Sequence, residues 1–260
     1  MLKKGLGQHL LKDGNLLEKM VRLAGVGTDD AVVEIGPGEG DLTRRLAAKA
    51  RVIYAVELDQ SFRGVLGRLE QEFPNVRVIF SDALRVRFAD FGAAREVAVM
   101  GNIPYYLTGD LLFKLLFEKS AIKGAFLTMQ KEVAQRIASR SHLRSYGALS
   151  VIFQLYSRVK VLLSLKPSLF IPPPKVDSAF ISIVFNDSSE ADPELISFIK
   201  QCFRYKRKQL RHSLAERFKR DAIDALYGRL GFPASIRAEE IEPGGFVEMY
   251  RTLRMLEKGS

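Results

Sequence analysis

Tryptophan is missing from the 260 residues, and cysteine occurs once, at Cys202. A lone thiol forms no internal disulfide, which excludes secreted disulfide scaffolds and cysteine-rich zinc modules and fits a reducing compartment. Cys202 reads as a small packing residue on a helix rather than a reactive thiol. Long apolar runs are absent too. The longest stretches without a charged residue, Val97–Gly109 and Ser145–Ser157, span 13 residues each, short of the roughly 18 that a membrane span needs. The N-terminal segment shows no apolar h-region and no small-residue cleavage site, so a cytoplasmic protein without a secretory signal is expected. Acidic residues are the scarcer charge, 30 against 40 basic ones, for a formal net charge of +10. That excess favours a polyanionic partner and leaves nucleic acid and acidic membrane both open. Of it, +8 lies before Phe185 and +2 after, so the bias is not a basic tail.

What is present reads as an ordinary globular chain, 47% apolar and 27% charged, long enough for one sizeable domain and a smaller appendage. Apolar spacing predicts an amphipathic helix over Asn15–Ala24, stopped by Gly25. Short β-branched runs then predict strands at Ala31–Ile35, Val52–Leu58, Val76–Phe80, Val97–Met100, Ala125–Met129, Leu149–Tyr156 and Ala179–Phe185. Helical stretches separate most of them, at Leu42–Ala48, Phe62–Phe73, Asp110–Phe117 and Glu132–Ser139. This alternation predicts an α/β fold with a mostly parallel sheet. The last two strands lack an intervening helix, which predicts an antiparallel pair at one edge. The polar, breaker-rich segment 186–193 predicts a linker. Beyond it Leu195–Phe218, Ala222–Gly231 and Phe246–Leu256 carry helical periodicity alone. The expected domains are therefore 1–185 and a small all-α domain over 186–260.

The first strand runs into Gly36-Pro-Gly-Glu-Gly, with glycines at 36, 38 and 40. Such a turn lets backbone approach a ligand closely with helix N–H groups facing it. By itself it fits a structural turn as well as a cofactor loop, and its spacing departs from the dinucleotide fingerprint. Three further strand ends carry polar groups: Glu57, which can accept both hydroxyls of a ribose, Asp82, and Asn102 in Asn-Ile-Pro-Tyr-Tyr. In a doubly wound sheet these positions line one crevice. An amide oxygen with adjacent backbone carbonyls can accept from the exocyclic amine of a nucleobase, and a neighbouring tyrosine can stack on the base. A proline turn with two partly buried tyrosines is the plainer alternative.

The set of motifs resembles the S-adenosylmethionine-dependent rRNA adenine N6,N6-dimethyltransferases of the small ribosomal subunit, the KsgA family. The resemblance covers nearly the whole chain, through Gly7-Gln-His-Leu-Leu, Val33-Glu-Ile-Gly-Pro-Gly-Glu-Gly, Glu57-Leu-Asp, Asp82-Ala, Asn102-Ile-Pro-Tyr-Tyr, Gln130-Lys-Glu-Val-Ala, Tyr146-Gly-Ala-Leu-Ser-Val, Phe170-Ile-Pro-Pro-Pro-Lys-Val-Asp-Ser and Phe203-Arg-Tyr-Lys-Arg-Lys-Gln-Leu-Arg. The triple-Pro run and the basic segment after residue 203 are its most specific parts. It implies a Rossmann-like class I methyltransferase sheet with a helical C-terminal domain, and methyl transfer to two adjacent adenosines in a hairpin near the 3′ end of 16S rRNA. The implied cofactor is S-adenosylmethionine, held by Gln8, His9, Leu11, Gly36, Gly38, Glu57, Asp82 and Asn102. Asn102 would orient the target N6, and Tyr105 and Phe170 would sandwich the base. His9 stands where many members have Asn and Leu10 where many have Phe, so a backbone contact is expected there. No metal is implied. The partner would be small-subunit rRNA within an immature 30S particle, and the enzyme a monomer.

Lys200–Arg220 holds nine basic residues against one acid. On a continuous helix Arg204, Arg207, Lys208 and Arg211 share one face, a phosphate-tracking stripe that the resemblance assigns to rRNA binding. Three rival readings stay open: a large-subunit rRNA dimethylase, which shares Asn-Ile-Pro-Tyr; a non-catalytic assembly factor on the same fold; and a nicotinamide oxidoreductase.

Overall fold

The structure, a computed structural model, describes residues 9–92, 96–187, 190–205 and 208–258. Its strands are β1 (Leu10–Leu11), β2 (Ala31–Ile35), β3 (Val52–Glu57), β4 (Val76–Phe80), β5 (Val97–Asn102), β6 (Ile122–Gln130), β7 (Ser157–Leu165), β8 (Phe170–Ile171) and β9 (Ser178–Phe185). The α-helices are α1 (Gly14–Ala24), α2 (Asp41–Ala47), α3 (Arg63–Glu72), α4 (Thr108–Phe117), α5 (Lys131–Ile137), α6 (Ala148–Tyr156), α7 (Pro193–Cys202), α8 (Leu210–Leu214), α9 (Arg220–Leu230) and α10 (Pro243–Lys258). Two compact units result. One takes the chain up to Ala134 together with Arg158–Glu190, the other Gln135–Ser157 together with Ala191–Ser260.

In the first unit seven strands form a sheet in the order β4-β3-β2-β5-β6-β9-β7. Pairing is parallel from β4 through β6 and antiparallel between β6 and β9. All five residues of β2 are buried, as expected of a central strand covered on both faces. Helix α1 starts where the Asp13 carboxylate accepts from the Leu16 N–H and stops at Gly25, whose φ of 66° is left-handed. Its Leu17, Met20 and Val21 pack with Leu42 and Leu46 of α2 against Val32, Ile53, Ala98 and Met100 of the sheet. Each such side chain contributes about 1.5–3 kcal/mol by leaving water. The direction of chain progression reverses at β2, which has β3 on one side and β5 on the other. A crevice therefore opens at the carboxyl ends of these strands.

The strand expected over Leu149–Tyr156 is a helix, α6, and the edge strand is β7, which follows it. A short apolar run carries no period that tells a buried helix from a buried strand. Here the Gly147 N–H donates to Ser150 Oγ at 3.0 Å, closing the first turn, and Val151, Ile152 and Phe153 are all buried. Antiparallel pairing begins where β9 joins β6, one strand in from the β7 edge. Helix α6 belongs to the second unit, where it packs with α7 and α10. That unit is tied by the Tyr146 hydroxyl donating to the Ile241 carbonyl at 2.8 Å and by Phe203 stacked on Phe246. The chain thus passes between units near residues 134, 157 and 190, where the sequence suggests a single passage near 186. Among the described residues, no helix is long and apolar enough to cross a membrane.

Candidate active site

At the end of β2 the chain turns through Gly36 and Gly38, with φ of 68° and 57°. These are left-handed values that cost an L-residue roughly 1–2 kcal/mol. Space adds a second reason at Gly38, because a Cβ there would stand 2.7 Å from Leu10 Cδ2. A bare backbone at 38 thus lets β1 lie over the turn, and Lys12 ties it down through ion pairs with Asp41 (2.7 Å) and Glu39.

Glu57, at the end of β3, is 6% exposed and accepts from the backbone N–H groups of Gly38 (3.1 Å) and Asp59 (2.8 Å). Burial raises its carboxyl above the usual range, and those N–H groups partly oppose the shift. Asp82 follows β4 and accepts from the Leu84 N–H at 2.9 Å. Asn102 closes β5 and donates through Nδ2 to the His9 carbonyl. A carbonyl only accepts, so the amide nitrogen must face His9 and the amide oxygen Oδ1 is left available. The Tyr105 ring lies 5.7 Å from the His9 ring, and its hydroxyl is 2.7 Å from Ser178 Oγ. His9 Nδ1 lies 2.7 Å from the Pro172 carbonyl, so this nitrogen carries the proton.

His9, Gly36, Gly38, Glu57, Asp82, Asn102 and Tyr105 line one cleft of about 240 Å³. Gln8 and Arg207 lie outside the described residues. Two of the expected residues are placed elsewhere. Leu11 is 5% exposed and packs with Leu17 and Met20 in the core. It borders a small cavity of about 30 Å³, with Glu34, Gly36 and Asn102. Successive side chains of a strand point to opposite faces, so Leu10 takes the cleft and Leu11 the core. Phe170 pairs with Leu11 across β1 and β8 and is buried in the same cluster, away from the cleft. Leu58, Tyr106 and Asp110 also line the cleft, unforeseen from the sequence, and so does Leu10, where the sequence suggests a backbone contact alone. Strand alternation is the signal that could have found Leu10. Ser178 is a further omission, since the triple-Pro run is recognisable but the contact of its last residue with Tyr105 is not.

In the second unit the described members of the basic set, Arg204, Lys208 and Arg211, do not share a helix face. α7 ends at Cys202, and Phe203 turns its ring onto Phe246 and Tyr146, an aromatic contact that replaces further helix. Arg204 pairs with Glu216, Lys208 lies 5.2 Å above the Tyr205 ring, and Arg211 stands on the separate helix α8. Burial raises the Cys202 thiol, in keeping with a packing role.

The donor set of the cleft fits the cofactor named above. Two carboxylates and an amide oxygen suit ribose hydroxyls and an adenine amine, while the Gly36 and Gly38 N–H groups are already given to the Val56 carbonyl and to Glu57, so the turn offers bare backbone rather than free donors. The glycine cradle leaves the space that side chains would fill. No group of three metal-ligating side chains occurs among the described residues.

Residues 1–254 match the model of the family described as ribosomal RNA adenine dimethylase. The chain is 35% identical to the ribosomal RNA small subunit methyltransferase A of Shouchella clausii, over 97% of this chain and 91% of the relative. It is 34% identical to the protein of that name from Mycoplasmopsis synoviae, over 96% of each. Among solved structures it is similar to a dimethyladenosine transferase from Plasmodium falciparum, with TM-score 0.83 and 26% identity over 96% of this chain and 98% of the other. The fold is also that of the 23S rRNA methyltransferase ErmE, with TM-score 0.72 and 24% identity over 94% and 99% of the two chains.

Proposed function

We propose, from the premise that this chain belongs to the ribosomal RNA adenine dimethylase family, that its cleft holds an unpaired adenine with N6 against Asn102. The chain is an S-adenosylmethionine-dependent rRNA adenine N6,N6-dimethyltransferase that acts on the small ribosomal subunit. The observation that carries the site assignment is the Asn102 amide, oriented by the His9 carbonyl and set beside Tyr105.

When bound, the cofactor supplies a methyl group already activated by its sulfonium. The chain's residues bind and position. Glu57 accepts from the ribose hydroxyls, Asp82 from the adenine amine, and Gly36 approaches the amino-acid end. His9 and Leu10 cover the turn. Asn102 Oδ1 and neighbouring backbone carbonyls accept N6–H bonds and favour the pyramidal nitrogen, whose lone pair is otherwise conjugated into the ring. Tyr105 stacks on the base, and Ser178 holds its hydroxyl. Phe170 reaches the base only by leaving the core, so Tyr105 is the stacking face this structure presents. Water takes the proton that N6 gives up at each transfer. This is catalysis by orientation and electrostatics rather than by a general base. A base held this way must be unpaired or flipped out.

The substrate in this reading is a pair of adjacent adenosines in a hairpin near the 3′ end of 16S rRNA, met in an immature 30S particle by a cytoplasmic monomer. The first unit carries the cofactor and catalysis, and the helical unit binds RNA backbone, with Arg204, Lys208 and Arg211 as contacts. Incubation with methyl-labelled cofactor and immature 30S particles should give labelled N6,N6-dimethyladenosine, and primer extension should stop at that hairpin. Stops in 23S rRNA instead would overturn the reading.

A further inference from the structure

A cavity of about 490 Å³ opens in the helical unit where α8 meets the start of α9, and it shares no lining residue with the cleft of the first unit. Arg211, His212, Lys219 and Arg220 line it around an apolar floor that includes Phe218. One acid, Asp224, lies among them, 3.5 Å from Arg211 and 3.6 Å from Arg220. Charge-assisted pairs in good geometry approach to about 2.7–2.9 Å. One carboxylate shared at these distances leaves the cluster electropositive. Lys219, exposed, lines it too and has no carboxylate partner among the described residues. The Arg211 guanidinium lies 4.9 Å from the Tyr227 ring centroid, and its Nε is buried without an acceptor among the described residues. Gathering like charges around a cavity is unfavourable, and an anion seated there relieves it.

We propose that this cavity is a separate phosphate subsite, which holds a phosphodiester of the RNA substrate with the adjoining ribose against Phe218. The proposal rests on the rRNA reading above. It differs from the expected stripe along residues 204–211 in its location and, Arg211 apart, in its residues. Arg204 is engaged with Glu216 and Lys208 lies over Tyr205, whereas Lys219, Arg220 and His212 surround an open cavity. A phosphodiester suits the site because its two free oxygens accept from Arg211 and Lys219 together while its sugar meets the apolar floor.

The test compares the full-length protein with the K219E/R220E double variant and with Asp224→Asn, using deproteinised 16S rRNA and, separately, immature 30S particles. Glutamate is favoured at a helix start, so the double variant should keep α9, and an unchanged unfolding midpoint checks this. K219Q/R220Q serves if it does not. The double variant should bind naked rRNA roughly ten- to a hundredfold more weakly, with the slope of log affinity against log salt reduced by about one to two. Asp224→Asn should bind more tightly, and calorimetric cofactor affinity should not change. Unchanged RNA affinity and salt slope would overturn the proposal. So would a loss seen with particles but not with naked rRNA, which would assign the cavity to a ribosomal protein. If the unaltered protein labels no adenine in rRNA, the functional reading fails instead, whatever the variants do.

Discussion

Asn102 offers one amide to two demands, with its nitrogen held by the His9 carbonyl and its oxygen left for the substrate amine. Asn102→Ala should lower methyl transfer by about two to three orders of magnitude, the usual effect of deleting one oriented polar group from a reacting centre. RNA affinity in a filter-binding assay should barely move. Glu34 sits on the neighbouring strand, fully buried, with Oε2 unpartnered. Burial, aided by the Glu57 and Asp41 charges, pushes its carboxyl from 4.5 up to about 8. Between those values the folded chain keeps a proton that the unfolded chain releases, so this group's contribution to stability falls as pH rises across the window. Thermal unfolding from about pH 5 to about pH 8.5 should show that decline, on the order of a few kcal/mol, and Glu34→Gln should flatten it. Strand-end residues such as Glu57, Asp82 and Asn102 are legible in the sequence because their position is set by the strand each one ends. Ser178 is not, since its role comes from a contact with Tyr105, far away in the chain.

Among the elements, the Gly-rich turn and β1 act as a pair. Gly38→Val would force a branched side chain into a left-handed conformation and against Leu10. Cofactor affinity measured by calorimetry should fall markedly, with stability lowered by roughly 1–2 kcal/mol or more. Parallel strands and their following helices are readable from β-branched runs and breakers. α6 is not, because its short, almost continuous apolar run shows neither the period of a helix nor that of a strand. The basic segment does not continue α7, which ends at Cys202, and the Phe203 ring that follows stacks on Phe246.

For the whole molecule, residues 135–157 fold with the C-terminal helices rather than with the sheet. A chain truncated after Glu190 would keep α6 and lose α7 and α10, exposing Val151, Ile152 and Phe153. At about 1.5–3 kcal/mol per side chain, this is a loss comparable with a domain's whole stability. Such a fragment should aggregate or bind hydrophobic dye in a gel-filtration and fluorescence assay, whereas removing both 135–157 and the C-terminal part should suppress that behaviour. Pattern along the chain is enough to give the α/β class, the cleft's polar groups and the family, because these depend on local periodicity and on short contiguous motifs. Packing in three dimensions is what puts Leu10 rather than Leu11 at the cleft, buries Phe170, and sets Arg211 and Lys219 around one cavity. Each of those outcomes depends on which distant segments compete for the same space and the same charge, and the order of residues does not record that competition.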